Sequence, residues 1–190
     1  ISKLRCFPTV KAASPLRRAG YFNRGGDAIS ILVSLCSYSQ APMSINNRTP
    51  TLLSIVSGGQ TGADRAALDS AMSHGFAVAG YCPKDRLAED GVIPSRYPLE
   101  EVPGSYRART RKNIQASDGT VVLIDLGAVD VAIAAQKLCE FCEYHQIATL
   151  NVAGPRASKC PRVYSYVFDV MGRLVNGRAS DHTGDNRFDQ

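Results

Sequence analysis

No stretch of this chain approaches the roughly 18 consecutive apolar residues that a membrane-spanning helix needs. The longest candidate, Ala28 to Leu35, is broken by Ser30 and Ser34, so no membrane partner is expected. A basic excess is also missing where it would count. Residues 1–42 hold six of the 22 basic residues and one of the 17 acidic ones, so residues 43–190 carry sixteen of each. The charge of +5 therefore belongs to the leading segment, and the remainder lacks the basic face of a nucleic-acid-binding domain. No nucleic acid is expected as a partner. The six cysteines are not spaced as in a small disulfide-stapled domain, and a chain of this length can bury a core without bridges. Reduced thiols in a cytoplasmic compartment are the expectation.

Residues 1–42 contain Arg and Ser, few acids and no sustained period. They suit either an organellar transit peptide or a stretch upstream of a start at Met43, and the second reading is preferred. One domain is expected over 43–175, with a polar, flexible tail over 176–190. Leu52-Leu53-Ser54-Ile55-Val56 reads as a buried parallel strand ending in a glycine pair. Ala63, Ala66, Ala67, Ala71 and Met72 follow a helical period stopped at Gly75, and Phe76 to Tyr81 is the next strand. Four prolines between Pro83 and Pro103 predict a long ordered loop. A helix over Ser105–Gln115 and a strand over Thr120–Asp125 follow. The next helix, Asp130–Tyr144, is predicted to carry Ala132, Ala135, Leu138, Cys139 and Cys142 on one face. A strand over Ala148–Val152 precedes a helix opened by Pro161, with Val163, Tyr166, Val167, Val170 and Leu174 as its apolar stripe. This alternation predicts an α/β fold: a Rossmann-like parallel sheet with helices on both faces, in three layers.

The chemistry concentrates in Ser57-Gly58-Gly59-Gln60-Thr61-Gly62-Ala63-Asp64-Arg65. Glycines turn the chain tightly and admit a ligand to the backbone. The helix that follows offers unpaired N–H groups and a positive dipole end, a natural anion site. Ser57, Gln60 and Thr61 add side-chain hydrogen bonds. The Gly-Lys-Ser/Thr ending of a P-loop is absent, and Asp64 in the first turn equally serves dipole compensation. Cys139-x-x-Cys142-x-x-His145 has metal-ligand residue types, but cysteines on an apolar helical face are normally core, and no metal is expected. Cys82 beside Lys84 has a setting that would favour a thiolate, although a structural role is preferred. Glu89-Asp90 reads as a pair of caps or turn acceptors before it reads as catalytic.

Ile55 to Asp69 resembles the opening of the molybdenum carrier proteins, a branch of a Rossmann-like superfamily that also holds nucleotide sensors and phosphoribohydrolases. The similarity continues through Gly80-Tyr81-Cys82-Pro83-Lys84, Ala88-Glu89-Asp90-Gly91-Val92-Ile93-Pro94 and Tyr97-Pro98-Leu99. It resumes at Arg109-Thr110-Arg111-Lys112-Asn113, Ser117-Asp118-Gly119-Thr120 and Leu150-Asn151-Val152-Ala153-Gly154-Pro155-Arg156. After Thr120 to Ile124 the family has a further glycine-threonine turn, helix and strand. Here the chain passes through Asp125-Leu126-Gly127 into the next helix, so one β–α unit and part of the expected pocket are missing.

The resemblance implies binding of molybdenum cofactor, a phosphate-bearing pterin, carried without chemical change and delivered to a recipient molybdoenzyme by a homo-oligomer. The implied binding residues are Ser57, Gly58, Gly59, Gln60, Thr61, Gly62, Asp64, Arg65, Lys84, Ser117, Asp118, Asn151, Gly154 and Arg156, with Arg65, Lys84 and Arg156 as counter-charges to phosphate. No catalytic residue is implied. The alternatives are a nucleotide sensor, needing only the first turn, or a nucleotide phosphoribohydrolase. The enzyme's Pro-Gly-Gly-x-Gly-Thr-x-x-Glu segment does not occur in this chain.

Overall fold

The computed structural model describes residues 18–20, 32–34, 52, 54–123 and 130–179. Strands β1 (Arg18–Gly20) and β2 (Leu32–Ser34) pair antiparallel within residues 1–42. The rest of 1–42, Met43, the Asp125-Leu126-Gly127 passage and residues 180–190 lie outside the described residues.

The apolar run before the glycine pair ends in strand β3 (Ser54–Val56), followed by α1 (Ala63–Ser73) and β4 (Ala77–Ala79). Farther along come α2 (Tyr106–Gln115), β9 (Gly119–Val122), α3 (Val131–Tyr144), β10 (Thr149–Ala153) and α4 (Val163–Ala179). Strands β4, β3, β10 and β9 form a parallel sheet in that order. Side chains alternate across a strand, so the register sorts the sheet into two faces. Ile55, Leu150, Val152 and Val121 point one way, into a core shared with α1, α3 and α4. Val56, Asn151, Thr120 and Val122 point the other way, toward the side on which α2 stands. The fold is thus an α/β, Rossmann-like parallel sheet flanked by helices.

Helix α1 presents Ala63, Ala66, Ala67 and Ala71 to the core, small side chains that let it lie close to the sheet. Met72, predicted on the same face, is exposed, because it falls on the far side of the helical wheel from Ala63 and Ala67. In α3 the buried face is Ala134, Ala135, Leu138, Phe141 and Cys142, capped by Asp130, which accepts from Ala132 N–H at 2.7 Å. Ala132 is exposed and Phe141 takes the inward place. Helix α4 buries Val163, Val167, Val170 and Leu174 together with Met171 and Val175, and runs past Asn176 to Ala179.

The stretch expected to be a loop from Pro83 to Pro103 is built of short elements. Strand β5 (Tyr81–Pro83) pairs with β8 (Glu100–Val102), and β6 (Leu87–Ala88) pairs with β7 (Gly91–Val92) as a hairpin after a 3₁₀ turn at Lys84–Arg86. Pro94 and Pro98 fall between β7 and β8, and Pro83 and Pro103 at strand ends, so proline bounds these elements without interrupting them. Leu68, Cys82, Ile93, Tyr97 and Leu99 form a second small core beneath.

Arg86 organises this region through backbone carbonyls. Its Nε donates to Ile93 O at 3.1 Å, Nη1 to Leu99 O at 2.9 Å, and Nη2 to Pro94 O and Tyr97 O at 3.0 Å each. A planar fork with five donors suits a spread of carbonyls as a single ammonium does not.

Candidate functional site

Strand β3 ends in the turn Ser57–Gly62, whose shape requires glycine at two places. Gly59 and Gly62 have φ of 74° and 82°, the left-handed region where a side chain is strained. A Cβ on Gly62 would also stand 2.6 Å from the carbonyl oxygen of Pro155. That oxygen accepts from Ala63 N–H at 3.2 Å, and Gln60 O accepts from Arg65 N–H at 3.1 Å. Two of the N–H groups at the start of α1 are therefore satisfied by the protein itself.

Asp64 turns back into the turn. Its Oδ2 accepts from Gln60 N–H at 3.4 Å and lies 3.3 Å from Arg109 Nη1, which also donates to Gly58 O at 3.2 Å. The carboxylate thus occupies part of the donor set that the sequence assigns to a ligand. The side chains of Asp64 and Arg109 are only 8% and 14% exposed. Burial pushes the Asp64 carboxyl above the ordinary carboxylate range, with the Arg109 guanidinium pulling the other way.

A cleft of about 260 Å³ opens beside this pair, over the second face of the sheet. It brings together Gly58, Gln60 and Asp64 from the turn and α1, Asn151 from β10, and Gly154 and Arg156 beyond it. Gly154 has no room for a side chain, since a Cβ would lie 2.4 Å from Leu123 O. Asn151 Nδ2 donates to Thr120 Oγ1 at 3.1 Å, and the Arg156 guanidinium sits 5.1 Å from the centre of the Tyr106 ring. Two polar atoms here are buried without a hydrogen-bond partner: Arg109 Nε and Gln60 Oε1. Buried groups of this kind are uncommon and point to a missing partner. Gln60 is 3% exposed and its Nε2 already donates to Leu87 O at 2.9 Å.

The other residues named from the sequence stand elsewhere. Ser57 is buried and donates to Val152 O at 2.6 Å. Gly59 faces Leu99 and Ile93 of the second core. Arg65 donates from Nε to Gly59 O and grips Asp90 with both terminal nitrogens. Lys84 is exposed and outside the cleft. Ser117 donates to Ile114 O at 3.0 Å, and Asp118 accepts from Ala148 and Thr149 N–H at 3.1 and 2.8 Å, tying α2 to the start of β10. Cys82 is fully buried in the second core, and burial pushes its thiol up. The thiolate considered for Cys82 is therefore disfavoured. Cys142 is core, and His145 lies against Phe141 and Tyr144.

Three polar cleft residues, Arg109, Thr110 and Asn113, all from α2, lay in a motif that carried the resemblance but were not assigned to the site. The spacing of Arg109 and Asn113 puts them one above the other on a helix face, a signal present in the sequence. Asn113 holds the cleft wall in place, accepting from Tyr81 N–H at 2.7 Å and donating to Tyr81 O at 3.1 Å.

Glu89 and Asp90 are fasteners. Glu89 accepts from Thr61 and from Ser158, whose Oγ lies at 2.5 Å and N at 3.1 Å, and so joins the turn to the segment after β10. The bonds from Ser158, then Thr61, hold Glu89 down at about 2 against an ordinary 4.5. A depressed carboxylate stabilises the fold above its unfolded value, and that contribution is lost as pH falls through the folded value. Acid titration of the melting temperature should therefore show a descending limb between about 4.5 and about 2, shallower in Glu89→Gln. An unchanged limb would mean that Glu89 is not held in the fold.

A profile described as the circularly permutated YpsA SLOG family matches residues 55–130 and 121–175, well over half of the chain. The chain belongs to that family. The two matched stretches overlap at 121–130, where the resemblance places the absent β–α unit. A solved structure similar to this chain is one from Syntrophus aciditrophicus SB, determined at 1.45 Å and assigned the name molybdenum carrier protein. It is 37% identical, with a TM-score of 0.63, and the match covers 67% of the present chain and 98% of that one. The resemblance read from the motifs is thus shown. Among curated proteins none matches. Among the described residues, no helix is long and apolar enough to cross a membrane.

Proposed function

We propose that the cleft binds the phosphate end of molybdenum cofactor and that the protein carries this pterin without changing it. The observation that carries the reading is the buried, unpartnered Nε of Arg109. With Nη1 committed to Gly58 and Asp64, the other edge of the guanidinium is left for an incoming oxyanion, which an arginine can bind through two parallel N–H groups. Gln60 Oε1, an acceptor without a donor, suits a ring N–H or an exocyclic amine. Helix α2 contributes Arg107, Arg109, Arg111 and Lys112 and no acid, a local positive field that favours an anion. The name of the Syntrophus aciditrophicus relative, a molybdenum carrier protein, supports the same cargo.

At about 260 Å³ the cleft is just below the range of about 300–1,000 Å³ for small-molecule sites. It suits a phosphate and the edge of a ring, with the rest of the pterin outside and open to a recipient molybdoenzyme. The runner-up is a nucleotide sensor, since an adenine amine also satisfies Gln60. Thermal melts of the full chain with molybdenum cofactor, molybdate or AMP separate them. A ligand that binds only the folded state adds about 2.7 kcal/mol at a hundredfold excess over its Kd. The carrier reading expects a shift with the cofactor alone. A shift with AMP and none with the cofactor would replace it by the sensor.

A further inference from the structure

The cleft places a negative charge where it also receives one. Asp64 Oδ2 and the unpartnered, buried Nε edge belong to opposite sides of the same guanidinium, Arg109, whose Nη1 is 3.3 Å from that oxygen. Among the described residues, the only other charged side chain lining the cleft is Arg156, from the segment after β10. Arg65, beside Asp64 on α1, is turned to Asp90, and Glu89 is fastened to Ser158 and Thr61. Arg109 alone thus balances Asp64 at close range among the described residues, and an oxyanion at its unpartnered Nε must share that guanidinium with the carboxylate.

We propose that an oxyanion binds this cleft together with one proton, taken from solvent by Asp64, so that the site accepts a dianion only as its own carboxylate becomes neutral. The inference rests on the anion-binding reading of the cleft and adds the protonation state in which the cleft works. Two carboxylate-like charges on one guanidinium in a buried setting disfavour joint ionisation. A neutral Asp64 keeps one oxygen to accept from Gln60 N–H and gains an O–H that can donate to the ligand. The protein already leans that way, because burial raises the Asp64 carboxyl before any ligand arrives. Proton uptake on binding makes affinity fall as pH rises, by about tenfold per pH unit once Asp64 is ionised in the free protein.

Isothermal titration of the full chain tests this, with sulfate, which stays dianionic throughout, and with phenyl phosphate as a phosphate monoester. Each is titrated in two non-phosphate buffers of different ionisation heat, from about pH 5 to about pH 8. The expected result is a buffer-dependent heat corresponding to uptake of about one proton, together with the pH dependence above. Asp64→Asn, isosteric and already neutral, should bind sulfate with no proton uptake and with affinity that barely changes with pH. It also subtracts the titration of phenyl phosphate itself. Binding without proton uptake, or uptake that persists in Asp64→Asn, overturns the inference and leaves the anion cleft standing. Failure of both anions to bind at every pH overturns the cleft reading and this inference together. Equal affinity in Arg109→Lys and the parent would place the anion elsewhere and do the same.

Discussion

Replacing Arg109 by methionine should lower the stability of the protein by about 3 kcal/mol near pH 8, and by clearly less near pH 5. Breaking a buried ion pair from one side costs on the order of 3–5 kcal/mol, because the remaining charge is stranded. Here the stranded group is Asp64, 8% exposed, held against Gln60 N–H and the Gly58 turn. Its carboxyl is already raised by burial, and loss of the guanidinium removes what pulled it down. The unfolded chain keeps Asp64 ionised at lower pH than the folded variant does, so folding is penalised as pH rises through the folded value and relieved as it falls. Chemical denaturation at the two pH values measures the difference. The double variant Asp64→Asn, Arg109→Met should recover most of the loss. A deficit independent of pH, or no recovery in the double variant, would show that Arg109 acts by packing alone.

Arg86→Ala should cost about 2–3 kcal/mol and loosen residues 83–103 ahead of the rest. One cation serves the carbonyls of Ile93, Pro94, Tyr97 and Leu99, and hydrogen bonds to a charged group each contribute about 1.5–3 kcal/mol. Water reaches some of these carbonyls once the side chain is gone, so the sum is not lost in full. Arg86→Lys should recover little, since an ammonium cannot span four acceptors in a plane. Amide hydrogen exchange would show faster exchange confined to the segment over the second core, with β3 and β10 still protected. Uniform acceleration throughout the domain would mean that the segment does not open by itself.

The sheet, α1 and the glycine turn were legible because their signals are local and regular. An apolar run meets a glycine pair, then alanines recur at a helical period. The segment from Pro83 to Pro103 was not, since strands of two or three residues are too short to show a period. What holds them, Arg86 reaching as far as Leu99, leaves no pattern in the sequence. Asp64 carried two readings from the sequence, a binding residue and compensation for a helix dipole, and in place it reaches back into the turn and meets Arg109, 45 positions away. Arg109 itself lay within a quoted motif, yet its role depends on how α2 is placed over β10. The resemblance supplied candidate residues, and only the fold separates those that line the cleft, such as Asn151 and Arg156, from those that brace it, such as Asp118 and Arg65.

The order β4-β3-β10-β9 also sets a timetable for biosynthesis. The central strand β10 is the last of the four to be made, and Ser54 meets its partner Thr149 across 95 positions of chain. At about 5–20 residues per second, β3 waits roughly 5 to 20 seconds after leaving the ribosome before β10 can pair beside it. Through that interval Ile55 has no β10 beside it, nor has Val121 once it is made, and the alanine face of α1 has no α4 to pack against. The nascent chain is therefore exposed to chaperones and to mispairing until β10 and α4 have emerged. The cleft, whose lining takes Gly58 from one end of that wait and Gly154 from the other, is completed only when the wait is over.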